Sequence, residues 1–245
     1  MPTSSYQERR GEIETYFDRT AADAWGRLTS DAPVSRVRAT VRAGRDLMRA
    51  TLLGWLPADL TGRRLLDAGC GTGALAVEAA RRGATVVAID VAPTLIALAQ
   101  ERSPKDLGVG SLEFLVGDMT DPALGTFDHV VAMDSVIHYR SEDVVVLLAK
   151  VAARTQGSIL FTYAPRTPLL ALMHALGQFF PRGDRSPAIV PVSPKRLAQL
   201  IAAEPGLAGW HLGRTQRITR GFYTSQALEL VRGPSGAPIG GPAHP

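Results

Sequence analysis

Arg64-Leu65-Leu66-Asp67-Ala68-Gly69-Cys70-Gly71-Thr72-Gly73 is a short apolar run that ends in an acid and passes into a glycine loop. Residues 74–82 follow with helical spacing. Glycine permits the tight turn and lets a ligand come close to the backbone. A helix N-terminus adds N–H groups with no partner inside the helix. Spaced as Gly69, Gly71 and Ala74, the loop also satisfies G-x-G-x-x-G/A, a pattern that by itself does not choose a ligand.

Working outward, the chain continues as short apolar runs alternating with helices. Strands are expected at 64–67, 84–90, 112–117, 127–133 and 158–163, and helices at 74–82, 93–102 and 143–154. Such alternation means α/β architecture, a parallel sheet covered on both faces. Upstream, residues 8–19 and 34–55 have helical periodicity, and Arg38, Arg42, Arg45 and Arg49 fall three or four apart on one face of the second helix. After Tyr163 the alternation breaks into a Pro-rich loop, an apolar helix at 169–180 and an irregular Pro/Gly stretch. A helix at 194–203 and strands at 210–215 and 221–230 end the fold. The expected organisation is an N-terminal helical arm (1–60), a Rossmann-like core (61–164), a cap insertion over the ligand edge (165–192), the remainder of the core (193–232) and a disordered Gly/Pro tail (233–245).

Four acids give the loop its chemistry. Asp67, Asp90, Asp118 and Asp134 each stand at the C-terminal end of a successive strand, the edge where open α/β sheets bind ligands. Singly, each reads as a helix N-cap, which Asp favours. Four in order after a D-x-G-x-G-x-G loop read as a site. Asp67 would repel a pyrophosphate but suits a sulfonium and an ammonium group. Asp90 can accept both hydroxyls of a ribose. Asp118 can accept from an exocyclic adenine amine while Met119 packs on the ring, and Asp134 stands near the methionine end. The ligand so described is S-adenosylmethionine, held by Asp67, Gly69, Cys70, Gly71, Gly73, Asp90, Asp118, Met119 and Asp134. Cys70 reads as a small filler in the turn, because no His or second Cys is near to make a reactive thiol. The pattern resembles the class I methyltransferases, whose fold is a mostly parallel seven-stranded sheet with the last strand antiparallel.

The whole chain sets further bounds. Its 245 residues, 45% hydrophobic and 20% charged, exclude intrinsic disorder as the main state, and one cysteine excludes a disulfide scaffold. No apolar run reaches the ~18 residues of a membrane span, and residues 1–19 have no signal-peptide core. A cytoplasmic, reducing location is expected. The net charge of +4 is unevenly spread: residues 1–50 carry +2, residues 51–150 carry −5 and residues 151–245 carry +7. That imbalance suits an anionic partner. It permits nucleic acid, but there is no separate basic domain, and the Asn-Pro-Pro-aromatic signature of amino-group methylation is absent at 133–136. No nucleic-acid partner is expected.

The segments outside the core narrow the substrate. Tyr16-Phe17-Asp18-Arg19, Trp25, Ser35-Arg36-Val37-Arg38, Met133-Asp134-Ser135-Val136-Ile137-His138-Tyr139, Phe161 to Pro168, Phe179 to Pro187 and Arg220-Gly221-Phe222-Tyr223 together resemble the magnesium-protoporphyrin IX O-methyltransferases. The resemblance covers about residues 10–232. It implies methyl transfer from S-adenosylmethionine to one propionate of magnesium protoporphyrin IX in bacteriochlorophyll biosynthesis, leaving the monomethyl ester and S-adenosylhomocysteine. It also implies substrate hand-over from the large porphyrin-binding subunit of magnesium chelatase and peripheral contact with the photosynthetic membrane. Magnesium enters only as part of the substrate, and no separate metal site is expected.

A propionate, with a pKa about that of Glu at ~4.3, is ionised at neutral pH and needs seating more than a base. Arginine suits that task. The candidates are Arg38, Arg45, Arg166, Arg182 and Arg185, with Met173 and Phe179 against the macrocycle and Tyr139 covering the cofactor or positioning the substrate. His138 leads the catalytic candidates, as orienter, base or axial magnesium ligand. Tyr16 is a second candidate. Thr29 is a third, standing where some members of the family carry a tyrosine. Two other functions remain open at this level: methylation of another small acid, phenol or quinone, and a non-enzymatic porphyrin carrier.

Overall fold

The sheet is built from strands whose two faces are both covered, and the sequence shows it in adjacent apolar residues. Leu65 and Leu66 of β1 (Arg64–Ala68) point to opposite faces and both are fully buried, as expected of a strand sandwiched between helices. The computed structural model describes residues 4–20, 29, 33–166 and 188–233. Around β1 stand β2 (Thr85–Asp90), β3 (Ser111–Val116), β4 (Phe127–Ala132), β5 (Thr155–Tyr163), β6 (Trp210–Arg220) and β7 (Tyr223–Arg232), in the order β3-β2-β1-β4-β5-β7-β6. β7 runs antiparallel to both neighbours, and β1 to β5 pair in parallel. This is the expected seven-stranded sheet with its antiparallel last strand.

The helices are α1 (Ser4–Thr15), α2 (Arg36–Trp55), α3 (Ala74–Arg81), α4 (Pro93–Arg102), α5 (Ser141–Ala152) and α6 (Pro194–Ala203). Ser35 and Ser193 cap α2 and α6 with their hydroxyls, and Pro93 and Pro194 open α4 and α6, where a missing N–H costs nothing. One core lies between α2, α3 and the face carrying Leu65, Val86, Val131 and Leu160. The other lies between α5, α6 and the face carrying Leu66, Val130, Ile159 and Phe161. Met48 and Leu52 of α2 are completely buried, so that helix is part of the core and not a loose arm.

Several boundaries differ from the sequence reading, and α1 and β5 begin earlier than expected, at Ser4 and Thr155. α1 gives way at Tyr16 to a π-helical turn, Tyr16–Thr20. β6 and β7 extend past their expected ends because β6 is the sheet's edge strand. Its exposed Arg214, Thr215, Gln216, Arg217 and Thr219 carry no apolar alternation to read. The two ends of the stretch expected to form a cap lie side by side: Val192 N–H donates to Ala164 O at 2.8 Å and Arg166 N–H to Val192 O at 2.9 Å. The expected 169–180 helix, with Met173, Phe179, Arg182 and Arg185, lies outside the described residues, as does the tail beyond Gly233. Among the described residues no helix is long and apolar enough to cross a membrane.

Candidate active site

The glycine loop turns because three residues take positive φ, at 81° for Gly69, 54° for Gly71 and 77° for Gly73. A Cβ on Gly69 would lie 2.3 Å from that of Ser135, so the turn after β4 touches the loop after β1. Gly69 and Cys70 donate to Ile89 O at 2.8 and 3.0 Å, fixing the loop against β2. Asp90, last in β2, accepts from Gly71 N–H at 2.8 Å and from Ala92 N–H at 3.0 Å. A carboxylate has about four lone-pair sites, so it retains capacity for a diol. Burial pushes its carboxyl up.

Asp67 is buried, and its Oδ2 has no hydrogen-bond partner. Burial and then the neighbouring Asp90 push its carboxyl up to about 7. A buried acid with one oxygen lacking a partner costs free energy until a cation or donor arrives. This orphaned oxygen is what a sulfonium or ammonium group would satisfy, so the loop fits S-adenosylmethionine. Burial, with Asp67 and Asp90, also pushes the Cys70 thiol well up. That outweighs any lowering by the helix terminus and keeps Cys70 an inert filler. None of the four acids is the N-cap of a helix: Gly73 and Ala92 precede α3 and α4, and Ser135 precedes the 3₁₀ turn Val136–His138.

A cavity of about 440 Å³ opens at this edge of the sheet. Its lining includes Asp67, the glycine loop, Asp90, Met119, Asp134, His138 and Tyr139. His138 closes its 3₁₀ turn with only 5% exposure and meets the Phe17 ring edge-on, centroids 6.3 Å apart. Tyr139 stacks on Tyr6 of α1 at 4.9 Å. Thr29 also lines the cavity and accepts from Arg102 at 3.3 Å.

Several expected residues stand elsewhere. Asp118 does not line the cavity. Its carboxylate accepts from Tyr6 OH at 2.9 Å, from an Arg10 guanidinium N–H at 3.0 Å and from the Thr120 N–H and hydroxyl. It anchors α1 instead of facing an adenine amine. Met119 keeps its place, and Arg154 clamps the loop by donating to the carbonyls of Met119 and Asp121. Tyr16 packs on Phe17 outside the lining, while Phe17 and Ile13 line it. Arg38 lies in the exposed first turn of α2, away from the cavity, whereas Arg42, Arg45 and Arg49 line it. Arg166 is exposed beside the base of the insertion.

Arg45 meets a partner the sequence did not suggest, Asp134 at 2.6 Å. Tyr223 and Ser225, which also line the cavity, were missed as site residues. Their signal was the alternation after Gly221, which points Tyr223, Ser225 and Ala227 to one face. Ile189 and Phe222, both exposed, bring apolar surface to the cavity.

The sheet order, the glycine loop and the row of strand-end acids define the class I methyltransferase fold. Comparison with known proteins agrees. A methyltransferase-domain family matches residues 65–156, and the family described as magnesium-protoporphyrin IX methyltransferase C-terminus matches residues 132–232. A magnesium-protoporphyrin O-methyltransferase of Rhodobacter capsulatus is 52% identical over 230 residues, 94% of this chain and 99% of that one. Its counterpart from Synechocystis sp. is 28% identical over 90% of this chain and 95% of its own. The crystal structure of magnesium protoporphyrin IX methyltransferase from Synechocystis PCC 6803 with bound SAH aligns with a TM-score of 0.79 at 27% identity, covering 91% of this chain and 99% of that one. The chain belongs to the magnesium-protoporphyrin O-methyltransferase family.

Proposed function

We propose that this protein transfers the methyl group of S-adenosylmethionine to a propionate carboxylate of magnesium protoporphyrin IX, releasing the monomethyl ester and S-adenosylhomocysteine. The observation that carries the reading is 52% identity across nearly the full length of a named magnesium-protoporphyrin O-methyltransferase. The site's chemistry supports it. The cofactor supplies an electrophilic methyl on a sulfonium. Asp67 and the Gly69–Gly73 loop hold its methionine end, Asp90 its ribose, and Met119 its adenine. On the substrate side the propionate arrives ionised, so the chain's work is to orient it in line with the methyl, an effect that can supply about 7–11 kcal/mol. His138 is assigned the orienting bond to the reacting carboxylate. Arg42 and Arg45 supply the cationic wall, and Tyr139, Ile189 and Phe222 supply surface for the macrocycle. Within this reading, Thr29 and Phe17 close the cofactor side.

Peripheral attachment to the photosynthetic membrane and delivery of the porphyrin by the large subunit of magnesium chelatase belong to the same proposal. The uneven charge of the chain supports both, since +7 on its last third suits an anionic surface. The test is a single turnover: protein, magnesium protoporphyrin IX and methyl-labelled S-adenosylmethionine, with products weighed by mass spectrometry. The expected result is one added methyl on the porphyrin. Binding of both ligands with no transfer would overturn the reading in favour of a carrier.

A further inference from the structure

The strongest unexplained feature of the cavity is Asp134. It is the sole non-glycine at positive φ among the described residues, at 53°, a backbone cost that usually attends function. Its Oδ1 accepts from Thr162 at 3.0 Å and from Ser225 at 3.1 Å, and the Tyr223 hydroxyl lies 3.1 Å from both carboxylate oxygens. Its Oδ2 accepts from Arg45 at 2.6 Å, and its own N–H donates to Thr162 Oγ1 at 2.8 Å. Three hydroxyls and a guanidinium fill the roughly four acceptor sites of a carboxylate, so Asp134 has little left for a ligand. What it presents to the cavity is Arg45, held from behind.

The fold invests in this arrangement. Gly44, next to Arg45, has no Cβ, and one there would come within 2.5 Å of the Tyr223 ring. The glycine lets β7 lie against α2 closely enough for the phenol to reach the acid. Burial, then the adjacent Asp134 charge, pushes the Tyr223 hydroxyl up, so it stays a donor at any working pH.

We propose that Arg45 seats the propionate that is not methylated, and that Asp134, with Tyr223, Ser225 and Thr162 acting through it, are positioning residues that make the site read a diacid. The inference rests on the proposed porphyrin reaction. An arginine–carboxylate pair can engage both carboxylate oxygens and withdraws charge from them. It therefore suits the carboxylate that must stay put, not the one that attacks. The arrangement also limits the reaction to one methyl. For a second transfer, the remaining acid would have to lie at the methyl and the new ester at Arg45, where a neutral ester replaces a charge-assisted pair with a weak one.

The experiment compares kcat and KM for magnesium protoporphyrin IX and for its monomethyl ester in the wild type, Arg45→Gln, Arg45→Lys and Tyr223→Phe, with the Kd for S-adenosylhomocysteine measured separately. Charge-assisted hydrogen bonds are worth about 10- to 100-fold in affinity, so the wild type is expected to prefer the diacid by that factor. In Arg45→Gln the preference should collapse to within about threefold, through KM, with cofactor affinity unchanged. Arg45→Lys should restore part of it. Tyr223→Phe keeps the ring and should raise the diacid KM several-fold, an order-of-magnitude expectation for a lost positioning bond. It also reads the same question should Arg45→Gln fail to fold. Undiminished preference for the diacid in folded Arg45→Gln overturns the inference alone, as does a Tyr223→Phe variant that loses cofactor and porphyrin affinity equally. Absence of transfer to the diacid in the wild type overturns the underlying reaction and this inference with it.

Discussion

Asp67 is a carboxyl whose charge the fold does not compensate, and that has a measurable consequence. Burial and Asp90 push it up to about 7 from an ordinary aspartate value of 3.8. Between those values the folded protein holds a proton that the unfolded chain has released, so the contribution to stability falls as pH rises from about 4 through about 7. A bound cation reverses the preference and expels the proton. Cofactor affinity should therefore strengthen by up to about tenfold per pH unit from pH ~5 to ~7 and level off above. Calorimetry in buffers of different ionisation enthalpy should show close to one proton released at pH 6, and Asp67→Asn should bind weakly with a flat profile. A flat wild-type profile would show that no cation meets Asp67. Gly69→Ala tests the turn itself: φ of 81° and a Cβ 2.3 Å from that of Ser135 predict a loss of about 1–3 kcal/mol from backbone strain alone. Chemical denaturation would read it, together with loss of cofactor binding. Asp67 was legible in the sequence because strand, acid and glycine loop are contiguous. Asp118 was legible only as a position. Its partners Tyr6 and Arg10 lie 112 and 108 residues away, and nothing local shows which way a carboxylate turns.

At the scale of elements, the N-terminal segment shows the same division. Its helices could be read from their periodicity, but their attachments could not. α1 is fixed by Tyr6 and Arg10 on Asp118 and by Ser5 on both oxygens of Asp143 at 2.9 Å. The π-helical turn is fixed by Asp18, which accepts from Thr94 N–H at 3.1 Å at the start of α4. Burial pushes the Asp118 carboxyl up, but the bonds from Thr120, Tyr6 and Arg10 outweigh it and hold it below the usual range. A depressed acid contributes stability at neutral pH that is lost as pH falls below about 4. Asp118→Asn should therefore speed amide exchange over residues 4–15 at neutral pH, by about 10- to 100-fold if one charge-assisted bond is lost, while exchange in β1 and β4 stays slow. Equal protection in the variant would show that Ser5 and packing alone hold α1. The edge strand β6 marks where pattern reading stops: an exposed strand needs no apolar face, so its Thr, Gln and Arg residues give no period, and its length emerges only from pairing with β7.

At the scale of the whole molecule, the charge segregation seen along the sequence gains a geometry. The strand-end acids Asp67 and Asp90 line the same cavity as Arg42, Arg45 and Arg49 of α2. One space thus carries acids that suit a cationic cofactor and arginines that suit an anionic substrate. The pairs already formed shape the balance. Arg45 shares its charge with the buried Asp134 at 2.6 Å, so it acts at short range by seating a carboxylate, whereas the Arg49–Asp46 pair at 2.8 Å is partly exposed and worth little. Attraction of a dianionic porphyrin then comes from the summed field of a chain carrying +4, and such a field is screened over about 10 Å at 0.1 M salt. Raising salt from about 20 to 200 mM should lower kcat/KM for the porphyrin several-fold while leaving kcat nearly constant, because the bound carboxylates sit in a cavity where screening is weak. The cofactor, whose net charge is small, should show little salt dependence of its Kd. Arg42→Gln should lower kcat/KM at low salt and reduce its slope against ionic strength. A slope unchanged by that substitution would assign the steering to the exposed arginines of β6, leaving the α2 wall to act only after encounter.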